Sequence, residues 1–164
     1  MPNESPRILA INPGSRYIGI AAFRGAELLD WGVRVNSGTT PRGSVRVAGQ
    51  IVKASIERFQ PDTLAVKRLH SSRTSPSLDR LTASIVELSR RRKLKVRQYS
   101  ITELKHVLST EGKGNKHQLA SAVAAQYPVL THDFHKEMAS RHPYRIRMFE
   151  AVALGIACYR ESEA

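Results

Sequence analysis

The chain has 164 residues and a mass of 18.3 kDa, enough for one ordinary domain with little room for a second. A content of 41% hydrophobic and 24% charged residues excludes wholesale disorder and a fibre. With 26 Lys+Arg against 14 Asp+Glu the net charge is +12, a balance that favours nucleic acid as partner first and an anionic membrane second. Cys158 is the only cysteine, which excludes an intramolecular disulfide, a cysteine-cluster zinc site and an iron–sulfur centre. No apolar run approaches a transmembrane span, and Met-Pro-Asn-Glu-Ser-Pro lacks the order of a secretory signal. The expectation is a soluble cytoplasmic protein.

Arg7 to Asn12 (RILAIN) reads as a strand stopped by the turn signal Pro13-Gly14-Ser15. Tyr17 to Arg24 is a second strand, and Gly25-Ala26 connects it tightly to a third, Glu27 to Val35, with rough alternation. Connections this short imply antiparallel pairing. Asn36 to Gly43 reads as a polar loop, followed by helical spacing of Ala48, Ile51, Val52, Ser55, Ile56 and Phe59 up to Pro61. Asp62 to Lys67 is a buried strand, and His70 to Pro76 breaks regularity. A helix on Leu78, Leu81, Ile85 and Leu88 precedes a fifth strand, Leu94 to Tyr99. Strands four and five each follow a helix, so both should run parallel to a neighbour. Three helices close the chain, at Thr102 to Leu108, Lys116 to Tyr127 and Tyr144 to Glu161. The order βββαβαβααα predicts an α/β fold, one mixed five-stranded sheet flanked by helices. Residues 1–6 are expected as a tail and 7–161 as a single domain.

Local sequence sharpens this order. Ile-Leu-Ala-Ile-Asn-Pro-Gly-Ser-Arg (8 to 16) with Ile-Gly-Ile-Ala (18 to 21) resembles the opening of RuvC-type Holliday junction resolvases, of the ribonuclease H-like superfamily. Asp62 to Lys67 resembles their fourth strand. Gly112-Lys113-Gly114-Asn115-Lys116 with Gln118 is similar to their glycine-bearing loop and helix start. Glu150 to Ala157 resembles their final helix. Sugar-kinase and actin-type ATPases share the first motif, but they need two such lobes and the chain has length for one. The resemblance implies a ribonuclease H-like fold, with strands one and four parallel and about 4.8 Å apart.

The resemblance also implies phosphodiester hydrolysis by two divalent metals held on converging carboxylates. Carried over, the family's first Asp falls on Asn12, its fourth-strand Glu on Lys67, and its last two acids on Arg147 and Glu150. One of four carboxylates remains, and Lys67 and Arg147 bring positive charge where a dication would sit. The resemblance therefore implies a pseudo-nuclease with no catalytic residues and no cofactor. Two states of the site are open: Lys67 pairs with Glu150 while Asn12 adds a hydrogen bond, or the three stand unpaired at the surface. Arg147 and Glu150, three apart on a helix, lie within side-chain reach of each other.

From Lys67 to Arg97 ten Lys/Arg oppose two acids, Asp79 and Glu87, so this segment holds +8 of the net +12. Arg16, Lys67, Arg68, Arg73, Arg80, Lys113 and Lys116 are the candidate nucleic-acid contacts, reading phosphates with side-chain cations and loop amides. The alternative is a solvated basic face, which suits the run Arg90-Arg91-Arg92-Lys93 better than a specific reader. His132, Asp133 and His135, with His142, could ligate zinc, or stand as surface histidines in what reads as a loop. Ser15, Ser37 and Ser109 lack a nucleophile-elbow context. Trp31, Phe59 and Phe149 read as core residues. A membrane-surface role lacks a basic amphipathic helix with exposed bulky residues.

The leading expectation is binding of structured or duplex nucleic acid, DNA before RNA, without cleavage. A scaffold for protein partners is the rival from another class. A third reading is an active nuclease using Mg2+ or Mn2+ through Asp62, Glu103 or Asp133. RuvC enzymes act as dimers, which makes a homodimer a further expectation.

Overall fold

The computed structural model describes residues 4–69, 74–110 and 116–164, with Lys116 described by its backbone alone. Five strands form one sheet: β1 (Arg7–Asn12), β2 (Tyr17–Arg24), β3 (Glu27–Val35), β4 (Thr63–Lys67) and β5 (Lys95–Tyr99). Their order is β3-β2-β1-β4-β5. The first three pair antiparallel, and β4 pairs parallel to both β1 and β5. The mixed sheet expected from the chain order is thus observed. Gly25 adopts φ +58° in the β2–β3 turn, which glycine accepts without steric cost.

Helices α1 (Pro41–Phe59) and α2 (Pro76–Arg91) cover one face of the sheet. The other face carries α3 (Ile101–Val107), α4 (Lys116–Gln126), α5 (Thr131–Ala139) and α6 (Ile146–Glu163). Because side chains alternate along a strand, β1 sends Leu9 and Ile11 to the first layer and Ile8 and Ala10 to the second. The central strands are therefore buried on both faces except at their ends, whereas the edge strand β3 is only half-buried. The second face of the sheet is lined by small residues (Ala10, Ala21, Ala65), so α6 packs close. Residues 148–158 of that helix are buried without exception.

Three expectations need correction. First, α1 begins at Pro41, inside the segment read as a loop to Gly43. Thr40 caps it by accepting from the Gly43 N–H, and Pro41 suits the first helical position. The apolar spacing starts only later, so periodicity alone places the start too far along. Second, residues 131–139 form α5 rather than a loop, after a 3-10 turn at Pro128–Leu130. Its polar residues hid a stripe of Phe134 and Glu137 that faces inward. Third, α6 starts at Ile146 rather than Tyr144.

Buried at 4% exposure, Cys158 keeps its thiol proton: burial, the largest influence, and Glu161 nearby push its pKa up to about 11 against a lowering hydrogen bond with Tyr99. The native thiol should resist maleimide at pH 8 and react at once in denaturant. Rapid native labelling would contradict this placement. The sign for stability follows from linkage: the folded state holds the proton more tightly than the unfolded thiol at 9.0. This contribution is complete below pH 9 and is lost as pH rises toward 11.

Candidate functional site: a charged cluster at the end of β1 and β4

The C-terminal ends of β1 and β4 lie side by side, with Ile11 paired to Val66. Asn12 and Lys67 follow those residues, and both belong to the alternation that faces α6. Helix α6 presents Glu150 to them. Lys67 Nζ and Asn12 Nδ2 both donate to Glu150 Oε2, at 2.9 Å and 2.7 Å. Of the two states left open by the sequence, the paired one is observed. Asn12 is fully buried and Glu150 is 4% exposed, while Lys67 keeps a partly open side chain.

Arg147 joins the cluster differently. Its carbonyl accepts from Asn12 Nδ2 at 3.3 Å, and its guanidinium donates to the Pro13 carbonyl at 3.4 Å. The first bond ties the α6 backbone to β1, and the second ties α6 to the turn after it. The close approach needs Gly19, opposite Asn12 in the sheet, because a Cβ there would fall 2.0 Å from the Arg147 carbonyl oxygen. Glu137, a buried acid that the sequence reading missed, accepts from the Arg145 N–H at 2.9 Å. A carboxylate there also complements the positive end of the α6 dipole.

The donor set does not fit Mg2+ or Mn2+, which take several hard oxygens. Among the described residues Glu150 is the one carboxylate in the cluster, and its Oε2 already receives two hydrogen bonds. Asn12 turns its amide nitrogen, not its oxygen, toward that carboxylate. The remaining charged groups are cations, which oppose a dication. The acids of the active-nuclease reading do not converge here either. Asp62 accepts from the Arg7 N–H at the other end of the sheet, Glu103 pairs with Arg68 at the start of α3, and Asp133 accepts from the Trp31 indole. Among the described residues no group of three or more His, Cys, Asp or Glu could hold a metal, His132 and His135 included.

The basic segment is partly neutralised. Besides Lys67 and Arg68, Arg91 pairs with Glu87, Arg92 with Glu57 and Arg97 with Glu161. Such exposed pairs are weak and yield readily to a phosphate. Arg80 on α2 is exposed, as is Arg16 in the turn before β2. Arg73 and Lys113 lie outside the described residues, and Lys116 is the first residue of α4. Beside Lys67 a surface hollow of about 430 Å³ is bounded by Arg68, Thr82, Arg90 and Gln98. Of the three aromatics read as core, Phe149 is fully buried and Trp31 packs against the same apolar layer between the sheet and α6. Phe59 instead is half-buried under the Arg58 guanidinium.

A sheet of this order, helices on both faces, and a polar cluster where β1, β4 and the last helix meet define the ribonuclease H-like class. Residues 8–140 match the family model of the crossover junction endodeoxyribonuclease RuvC. The chain belongs to the RuvC family. It is 28% identical over 126 residues to the crossover junction endodeoxyribonuclease RuvC of Frankia alni, a match spanning 71% of this chain and 64% of that protein. The structure of Thermus thermophilus RuvC superposes with a TM-score of 0.73 over 96% of both chains, at 17% identity. T. thermophilus RuvC in complex with a Holliday junction substrate gives 0.72 over the same shares, at 16% identity. At these identities the two structures speak for the fold. Among the described residues no helix is long and apolar enough to cross a membrane.

Proposed function

We propose that this chain is a catalytically degenerate RuvC-family protein that binds branched or duplex DNA through its basic face without metal-dependent cleavage. The observation that carries the proposal is the seat of Lys67 Nζ on Glu150, a fixed cation at the ends of β1 and β4. It neutralises Glu150 from within, so that carboxylate needs no metal to balance its charge. DNA binding draws on the family membership and on the exposed cations Arg16 and Arg80, with Arg68 and Arg90 around the hollow beside Lys67. Lys67 itself is held by Glu150 in a pair of zero net charge and is not a free ammonium for a phosphate. A cytoplasmic homodimer belongs to the same reading, and its mass is measurable by light scattering.

The test combines binding and cleavage. Fluorescence anisotropy should show binding to a four-way junction and to duplex that falls about a hundredfold from 50 to 200 mM salt, the loss for roughly four neutralised phosphates. No nicking should appear in Mg2+ or Mn2+. Metal-dependent nicking abolished by Glu150→Ala would overturn the degenerate reading. Absence of binding at low salt would remove the DNA reading and leave the protein scaffold.

A further inference from the structure

Next to the charged cluster, four side chains from two separate parts of the chain form a ladder of rings and guanidinium groups. Tyr17, the first residue of β2, stacks on Tyr144, just before α6, with centroids 5.4 Å apart and planes inclined by 23°. The Arg16 guanidinium lies 5.6 Å from the Tyr17 ring centre, and that of Arg145 lies 4.9 Å from the Tyr144 ring centre. Tyr144 is 36% exposed and Val35, paired with Tyr17 across the sheet, is 63% exposed. An aromatic pair left this open contributes little to the core, and a ligand meets its ring edges and the guanidinium planes at the two ends of the ladder.

The ladder stands on rigid supports. The Arg16 carbonyl accepts from the Asn36 N–H at 2.7 Å, and the Arg145 N–H is held by buried Glu137. The Arg147 guanidinium, bonded to the Pro13 carbonyl, binds the turn before Tyr17 to the start of α6. Two tyrosines flanked by two arginines match one ligand chemistry especially well. A nucleobase stacks on rings and guanidinium planes alike, while the adjoining phosphates pair with the arginines. Paired bases inside a duplex hide their faces, so only an unpaired base can use such a surface.

We propose that Arg16, Tyr17, Tyr144 and Arg145 form a stacking platform for an unpaired nucleobase of branched or single-stranded DNA, seated beside the Asn12–Lys67–Glu150 cluster. This rests on the DNA-binding reading above and adds a preference within it. The platform makes unpaired bases, rather than duplex alone, part of what the chain recognises.

The full chain is titrated with a blunt duplex, a single strand and a four-way junction, the last two carrying 2-aminopurine at the unpaired or branch position. Tyr144→Ala should weaken single-strand and junction binding about tenfold, the worth of one stacked base. Duplex affinity and salt slope should stay unchanged. Tyr144→Trp should keep wild-type affinity and the change in 2-aminopurine fluorescence. Tyr144→Leu preserves apolar bulk without a π-face and should behave as alanine does, which covers the case in which alanine unfolds the chain. Equal losses on duplex and unpaired DNA, or no loss, would overturn the platform while the DNA-binding reading stands. Wild-type protein that binds none of the three removes both.

Discussion

Replacing Lys67 with methionine is expected to destabilise the fold by about 3 kcal/mol, since it strands a buried carboxylate with a single hydrogen bond from Asn12. In a domain of this size that lowers Tm by roughly 6–12 °C. The converse change, Glu150→Gln, should cost about 1–2 kcal/mol, because Lys67 is partly open and can turn its ammonium to water. Joining Lys67→Met with Glu150→Leu should recover most of the loss, as apolar replacements of buried ion pairs generally do. Urea unfolding of Lys67→Met, of Glu150→Leu and of that double variant closes the cycle and gives the coupling directly. Losses that simply add, within about 0.5 kcal/mol, would mean that the pair does not brace the fold.

Gly19→Ala is expected to be at least as damaging, by about 3 kcal/mol, for a different reason. The added methyl would stand 2.0 Å from the carbonyl oxygen and 2.4 Å from the carbonyl carbon of Arg147. Those are backbone atoms and cannot rotate away, so α6 must lift from β2. Lifting α6 also lengthens the 3.3 Å contact between Asn12 and the Arg147 carbonyl, loosening the cluster. Gly49→Ala in α1 is the matched control, since a Cβ there meets nothing within 4 Å. It should stabilise by about 0.5–1 kcal/mol, as alanine usually does in an unhindered helix. Thermal melts of the two variants should move in opposite directions. If both melts rise, the space over Gly19 in β2 accepts a methyl and close packing of α6 is not the constraint there.

On the proposed degenerate reading, these expected effects make the work of the cluster structural. Glu150 joins α6 to β4 through Lys67 and to β1 through Asn12. The three elements meet where a nuclease of this family would be expected to hold metal, and an internal ammonium supplies the compensating charge. A protein built this way keeps the end of its sheet closed without a metal ion. On the proposed reading, DNA recognition rests on the surrounding surface, which is where Arg16 and the two tyrosines stand.

The apolar runs of β1, β2 and β4, and the turn signals between them, determined the sheet and its mixed pairing from sequence, because both faces of a central strand must be buried. Ordered local motifs determined the family and the four positions of the cluster. Other features were illegible for identifiable reasons. The start of α1 depends on the Thr40 cap rather than on periodicity. Helix α5 hides its inward stripe among charges, and Glu137 reads as a surface acid until its carboxylate is seen on the Arg145 N–H. That Lys67 reaches Glu150, 83 residues away, was one of two open states in the sequence and is settled by packing alone. Tyr17 and Tyr144 carry no sequence signal of each other at all. Burial patterns act along the chain and can be read there, whereas a contact between distant polar side chains depends on how closely α6 lies on the sheet, which only the tertiary structure decides.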